Sequence, residues 1–130
     1  MKDPIVEDLR SLRSLQKQFF TSKNRDLLEK IRPLEHSLLP RLEGLTGRPS
    51  RLVSLEALEV YRVGLKMIQH QQAWITAKNR AKSLENTDAT PAQLDAARRK
   101  ASELETSAKD FERLLDQQIG HYLSPRLPGF

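Results

Sequence analysis

The apolar residues of this chain recur every three or four positions, which is the spacing of one face of an α-helix. The first such stripe follows Asp3, a good helix-capping residue, and Pro4, which suits the first helical position. It comprises Ile5, Leu9, Leu12, Leu15 and Phe19, whereas the basic residues Arg10, Arg13 and Lys17 are expected to point away from it. Capping residue types at positions 21–24 predict the end of this helix.

A second stripe keeps the same spacing but is interrupted by two prolines. Its members are Leu27, Ile31, Leu34, Leu38, Leu42 and Leu45. Proline inside a helix removes a backbone hydrogen bond, so we expect a kink or a short break near Pro33, with Pro40 as a further interruption. Gly44–Ser50 contains two glycines and a proline, and this composition predicts a connecting loop.

The third segment starts near Ser54, a candidate cap, and continues without proline to about Glu85. Its main stripe is Leu58, Tyr61, Leu65, Ile68 and Ile75. Gly64 lies within it and predicts the close approach of a neighbouring helix. Polar residues in a helical seam often fix register, which is our interpretation of Gln72 and Gln118, although Gln69–Gln72 also fits a partner-facing stretch.

The fourth segment carries the clearest local signal, a capping box formed by Thr90 and Gln93 with Pro91 at the first helical position. Four heptads of apolar and small residues follow, a pattern typical of a helix packed in coiled-coil fashion. This seam consists of Leu94, Ala97, Ala101, Leu104, Ala108, Phe111, Leu115, Gln118 and Tyr122. The linker Asn86–Ala89 is short, and short connections favour antiparallel neighbours.

Together these segments predict an all-α fold. A long antiparallel helical hairpin, about 54–85 and 91–123, would pack with two shorter N-terminal helices as a three- or four-helix bundle. Residues 1–123 would form a single helical domain, followed by an extended C-terminal tail at 124–130. A glutamate in place of Ala101 would then insert a charge into a close seam and destabilise the protein severely.

Composition narrows the chemistry that this fold could carry. The 130 residues include no cysteine, and the three histidines, His36, His70 and His121, are scattered without metal-ligand spacing. We therefore predict no catalytic residue, no metal site, no cofactor and no enzymatic activity. The segment after Met1 lacks the apolar core of a signal peptide, and no apolar stretch of roughly 18 residues occurs, which predicts a cytoplasmic protein without a membrane span.

The net charge of +5 directs attention to the end of the predicted hairpin, where six basic residues should converge. They are Lys78, Arg80, Lys82, Arg98, Arg99 and Lys100. Three interpretations stay open: a solvated face with ordinary ion pairs, a surface for a partner protein, and a nucleic-acid footprint. No aromatic residue is interleaved that could stack on bases.

Two apolar groups are candidates for docking. Phe19 and Phe20 are adjacent, so both rings cannot face one narrow stripe. The tail offers Leu127 and Phe130 on a proline-containing segment, which would be either a frayed terminus or a short docking segment.

The leading functional prediction is a non-enzymatic protein-interaction module that binds another protein or a second copy of itself. Such a protein would be an adaptor, an assembly factor or a secretion-type chaperone. Leucine-rich helices, a long hairpin and no cysteine make the chain similar in composition and length, rather than in any motif, to small export chaperones of flagellar and type III secretion systems. The alternative is a basic accessory protein that binds nucleic acid through the hairpin tip.

Overall fold

The computed structural model describes residues 3–48 and 53–123, and in these ranges it contains four helices and no strand. The helices are α1 (Pro4–Ser22), α2 (Asp26–Gly47), α3 (Leu55–Glu85) and α4 (Pro91–Leu123). The two longest, α3 and α4, pair as an antiparallel hairpin, and α1 and α2 pack against one end of it. The predicted all-α hairpin fold is thereby confirmed.

Side-chain caps begin three of the helices at the predicted positions. The Oδ1 atom of Asp3 accepts hydrogen bonds from the backbone amides of α1, at 2.9 Å from Ile5 and 3.3 Å from Val6. The Oγ atom of Ser54 accepts from the amide of Ala57 at 3.1 Å. Thr90 and Gln93 exchange side-chain and backbone hydrogen bonds at 3.0 and 3.2 Å, as a capping box requires.

Of the kink or short break predicted near Pro33, the break does not occur, because α2 is continuous through both prolines. Helix α2 has Pro33 and Pro40 on its exposed side, where water can bind the carbonyl groups that each proline leaves without a partner. It also continues through Gly44 to Gly47, so the predicted loop does not begin at Gly44. The helix continues because its apolar stripe does: Leu42 is fully buried and Leu45 packs against the core.

The core lies at one end of the hairpin. With the exception of Ala81, the buried residues of α3 fall between Ala57 and Gln71, and those of α4 between Ala108 and Ile119. We call this end, residues 55–71 and 106–123, the proximal half, and the remainder, residues 72–85 and 91–105, the distal half. The stripe predicted for α3 does not extend into the distal half as a buried face, because Ile75 is 54% exposed.

Helix α1 lies in parallel alongside α3. Gly64 permits this approach, since a Cβ atom there would lie 2.9 Å from both Cδ atoms of Leu9. Seven residues later in both helices, the side-chain amides of Gln16 and Gln71 exchange hydrogen bonds at 2.9 and 3.1 Å. The close helix approach predicted from Gly64 is confirmed, and α1 runs in the same direction as α3, toward the hairpin turn.

Candidate interaction site

The distal half of the hairpin extends beyond the helices that cover its base. The register that pairs Leu9 with Gly64 and Gln16 with Gln71 would place Lys23 beside Lys78. Lys23, however, adopts the left-handed conformation (φ 57°) that ends α1. From that level to the turn, α1 no longer covers its side of the α3–α4 pair, and one groove runs along each side of the two helices.

The larger opening, which we call the wide groove, has a volume of about 770 Å³. Its apolar lining comes from small side chains and two leucines of both helices: Ala73, Ala77, Leu84, Ala96, Ala97 and Leu104. Gln72, Thr76 and Gln93 add neutral polar groups. Alanine leaves the backbone of each helix accessible, so another chain could approach closely between α3 and α4.

The charge of the wide groove is one-sided. Arg80 and Lys100 line it from opposite helices, and no acidic side chain is among its lining residues. Neither cation forms an ion pair with any residue in ranges 3–48 and 53–123. Both side chains are exposed. The groove therefore presents uncompensated positive charge beside an apolar floor.

The opening on the other side, the narrow groove, is smaller, about 270 Å³, and its charges are mixed. Its lining residues are Trp74, Lys78, Ala81, Lys82, Glu85, Arg98, Ala101, Ser102 and Glu105. Glu85 accepts a 2.9 Å ion pair from Arg98 across the two helices, and Lys78 lies 5.7 Å from the centre of the Trp74 ring. Three of its five charged residues, Glu85, Arg98 and Glu105, form ion pairs within the hairpin, whereas Lys78 and Lys82 form none within the described residues.

The narrow groove continues the track that α1 follows in the proximal half. Gly64, Gln71, Lys78 and Glu85 are spaced by seven residues, so they share one face of α3. Arg98, Glu105 and Glu112 have the same spacing in α4. The first two residues of the α3 series and the last residue of the α4 series contact α1, and the others line the narrow groove.

The hairpin divides the six basic residues singled out from the sequence. Arg80 and Lys100 line the wide groove, whereas Lys78, Lys82 and Arg98 line the narrow groove on the other side. Arg99 is exposed and lines neither groove. The antiparallel pairing brings Arg80 and Lys100 to one groove, and whether either subset binds a ligand stays a prediction.

Every residue of the predicted seam is at least partly covered. Ala108 and Leu115 are fully buried in the proximal half, whereas Leu94, Ala97, Ala101, Leu104, Phe111, Gln118 and Tyr122 are half-buried. Ala101 lines the narrow groove close to Lys78, Lys82 and Arg98. Its surroundings are therefore more open and more positive than the close seam from which a severe effect of Ala101→Glu was predicted.

A buried polar cluster, not predicted from the sequence, joins α1 to the hairpin. Arg13 is only 8% exposed, and its guanidinium donates to both carboxylate oxygens of Asp116 at 2.9 and 3.0 Å. It also donates to Gln16 at 2.7 Å and lies 3.7 Å from Glu112. Through Gln16 the cluster reaches Gln71, so three helices meet at one hydrogen-bonded group. Such a paired arrangement is required for a buried arginine.

The pKa values of the two acids in this cluster, Glu112 and Asp116, are shifted in opposite directions. Burial raises the pKa of Glu112 above its ordinary value, and this effect exceeds the opposing influence of Arg13. Burial acts in the same direction on Asp116, but the hydrogen bonds and charges of Arg13 and Lys17 outweigh it and lower the pKa. Burial likewise raises the pKa of Glu35 on α2, against the effect of Gln16 and Arg32.

Two predictions about polar residues in α1 and α3 are wrong. Arg13 does not point away from the apolar face of α1, and the buried glutamine of α3 is Gln71 rather than Gln72, which is exposed. Hydrophobicity could not identify either residue, because both are polar. The available signal was the seven-residue spacing from Gly64 to Gln71 and from Val6 to Arg13, which marks one packed face on each helix.

The two phenylalanines predicted as docking residues differ in their exposure to solvent. Phe19 packs against the core, whereas Phe20 is 43% exposed, with Lys23 5.4 Å from its ring centre. The two rings lie 6.3 Å apart. Leu127 and Phe130, together with the predicted extended tail at 124–130, lie outside the described residues.

Metal-ligating residue types are not clustered in residues 3–48 and 53–123. No group of three or more His, Asp or Glu side chains there is placed to hold a metal ion. His70 stacks on Phe111 at 4.7 Å, and its buried Nδ1 atom has no hydrogen-bond partner among the described residues. None of the helices in these ranges combines the length and apolarity that a bilayer crossing requires.

Comparison with protein-family models, with curated proteins and with solved structures finds no significant match to this chain. The chain's own surfaces, and among them the wide groove, are therefore the basis on which its function can be inferred.

Proposed function

We propose that this protein is a non-enzymatic interaction module that binds another protein through the distal half of its α3–α4 hairpin. An adaptor, an assembly factor or a secretion-type chaperone would work in this way, and we propose the cytoplasm as its location, in keeping with a chain that has no cysteine. The observation that carries the proposal is the wide groove, where two paired helices lack a third.

The proximal half supports this proposal by analogy, because α1 docks on the narrow-groove side of the α3–α4 pair, and the wide groove runs along the opposite side of the same pair. There α1 lies along α3 and α4, with Leu9 against Gly64 and Arg13 against Asp116. In the distal half the same two helices continue for about 20 Å at ~1.5 Å per residue. Paired amphipathic helices with an uncovered groove are a common means of binding a partner helix.

The nucleic-acid alternative has weaker support. Five of its six basic residues are divided between two grooves, Arg99 lines neither, and the charge of Arg98 is compensated by Glu85. Among the residues that line the wide groove none is aromatic, so bases would lack a stacking platform there.

Site-specific photo-crosslinking in the source cells tests the proposal. A benzophenone amino acid would replace Thr76, which lines the wide groove, and in a matched strain Arg32, which is exposed on α2. We expect discrete protein adducts from position 76 and none of the same masses from position 32. Identical adduct patterns at both positions, or adducts that nuclease digestion removes, would reject the proposal.

Binding to duplex DNA gives an independent check. If Arg98→Ala with Arg99→Ala abolished a salt-sensitive association with duplex DNA, the nucleic-acid alternative would replace the interaction module. We expect instead that wild-type protein and the double variant bind duplex DNA equally weakly at physiological salt.

A further inference from the structure

We infer that the wide groove binds one acidic amphipathic helix of a partner protein, lying lengthwise between α3 and α4. This inference rests on the proposed function and specifies the chemistry of the partner. Three features of the groove lead to it: its shape, the small side chains on its floor and its uncompensated charge.

The shape and floor favour a helix. From Ala73 to Leu84 the groove follows α3 for roughly 16 Å, or three helical turns. Four alanines from the two helices form most of its apolar floor: Ala73, Ala77, Ala96 and Ala97. Small side chains allow a third helix axis to approach to about 8–10 Å, and Leu84 and Leu104 provide larger apolar contacts for its leucines.

The charge selects an acidic partner. Arg80 on α3 and Lys100 on α4 would flank a bound helix on both sides. Because neither cation is paired within the described residues, glutamates on the partner would gain new ion pairs without breaking existing ones. The narrow groove is less suited to glutamates, because its own carboxylates, Glu85 and Glu105, lie among its cations, whereas no carboxylate lines the wide groove.

A second copy of the chain is a less suitable occupant. A two-fold symmetric dimer formed through the wide groove would bring Arg80 and Lys100 of both copies together, and four like charges would face one another. The net charge of +5 adds to this repulsion. We therefore expect a monomer when no partner is present.

Three designed helical peptides of equal length and equal leucine content provide the test, with binding measured by fluorescence anisotropy to the full chain. The peptides carry glutamates, lysines or glutamines beside the leucine stripe. We expect the glutamate peptide to bind at least about tenfold more tightly than the lysine peptide, and the difference to shrink with added salt.

Charge-reversal variants of the chain show which of the two grooves the peptides bind. Arg80→Glu with Lys100→Glu should invert the preference, so that the lysine peptide binds more tightly. The matched control, Lys78→Glu with Lys82→Glu, makes the same change of charge at the narrow groove and should leave the preference for the glutamate peptide. Circular dichroism of both double variants would establish that they fold.

Three outcomes would overturn the inference: equal affinity for all peptides, no inversion by the wide-groove variant, or inversion by the control variant. So would sedimentation equilibrium that reported a dimer disrupted by Arg80→Glu with Lys100→Glu, since a second copy would then fill the groove. If crosslinks from position 76 persisted in any of these cases, the interaction module would stand and only the partner chemistry would be wrong.

Discussion

The proximal and distal halves of the hairpin share one pattern of helix pairing but differ in what lies beside it. In the proximal half, α1 and α2 cover the paired helices, and Leu115 on the seam is completely buried. In the distal half, Ala101, seven residues before the fully buried Ala108, is half-buried and lines the narrow groove. A heptad pattern therefore reports that two helices pair, whereas the burial of its residues depends on a third element.

Polar groups show the same contrast. In the proximal half, Arg13 is buried and held by Asp116 and Gln16. In the distal half, Arg80 and Lys100 are exposed and unpaired within the described residues. The proximal cluster joins α1 to α3 and α4, whereas the two distal cations make no such connection within the described residues.

The largest difference between the halves should come from one substitution made at two seam positions seven residues apart. Ala108 is fully buried, so Ala108→Glu would bury a charge and cost about 4 kcal/mol or more. Ala101 borders the narrow groove with its lysines, so Ala101→Glu should cost about 1 kcal/mol. Urea unfolding measures both, and similar losses would mean that the distal seam is as closed as the proximal one.

A second pair of variants compares buried and exposed arginines. Arg13→Ala would leave the buried Glu112 without its cation and should lower the free energy of unfolding by about 3 kcal/mol. Arg98→Ala removes an exposed ion pair with Glu85 and should cost under about 0.5 kcal/mol. If Arg13→Ala were as mild as Arg98→Ala in chemical denaturation, the cluster would not hold α1 in place.

Hydrogen exchange should separate the halves without any substitution. Amides in the distal part of α3, residues 75–84, have fewer buried apolar neighbours than those at 60–70. We expect the distal amides to exchange on the order of tenfold faster, because local opening there exposes little core. Uniform protection along α3 in a native-state exchange experiment would contradict this expectation.

The smallest expected effect is a dependence of the free energy of unfolding on pH that comes from Glu112. Its pKa is raised in the folded protein by burial, so the folded state holds this proton more strongly than the unfolded state does. The stabilisation from Glu112 is therefore complete below its ordinary value of 4.5 and is lost as the pH rises through the raised pKa. Relative to Glu112→Gln, the wild type should become less stable as the pH rises above that value.

Denaturant unfolding of both proteins from pH 4 to pH 8 measures this difference, and Glu35, which does not interact with Glu112, contributes equally to each. A difference that stays constant with pH, or grows in favour of the wild type, would contradict the assignment.

Much of the fold followed from local rules. The caps at Asp3, Ser54 and Thr90 and the turn after Glu85 depend on neighbouring residues, and these predictions are confirmed. Continuation of α2 beyond Gly44 was missed because tertiary burial of Leu42 and Leu45 outweighs the local preference of glycine for a helix end.

The candidate site was harder to predict because it depends on distant parts of the chain. The bond between Arg13 and Asp116 joins residues 103 positions apart, and no local pattern indicates it. Which cations line which groove depends on how α4 is rotated about its axis relative to α3. A seam of alanines and leucines does not determine this rotation from the sequence. Sequence placed the basic residues near the turn, and only the structure gave their side of the hairpin.

Lys23, whose left-handed backbone conformation ends α1, determines how much of the hairpin surface α1 leaves uncovered. Because α1 runs parallel to α3, each heptad inserted before Ser22 would lengthen this cover by about 10.5 Å toward the turn. One such insertion would fill the narrow groove and leave the wide one accessible. The extent of bare surface in proteins of this architecture is thus adjustable by the length of a single N-terminal helix, without altering the hairpin.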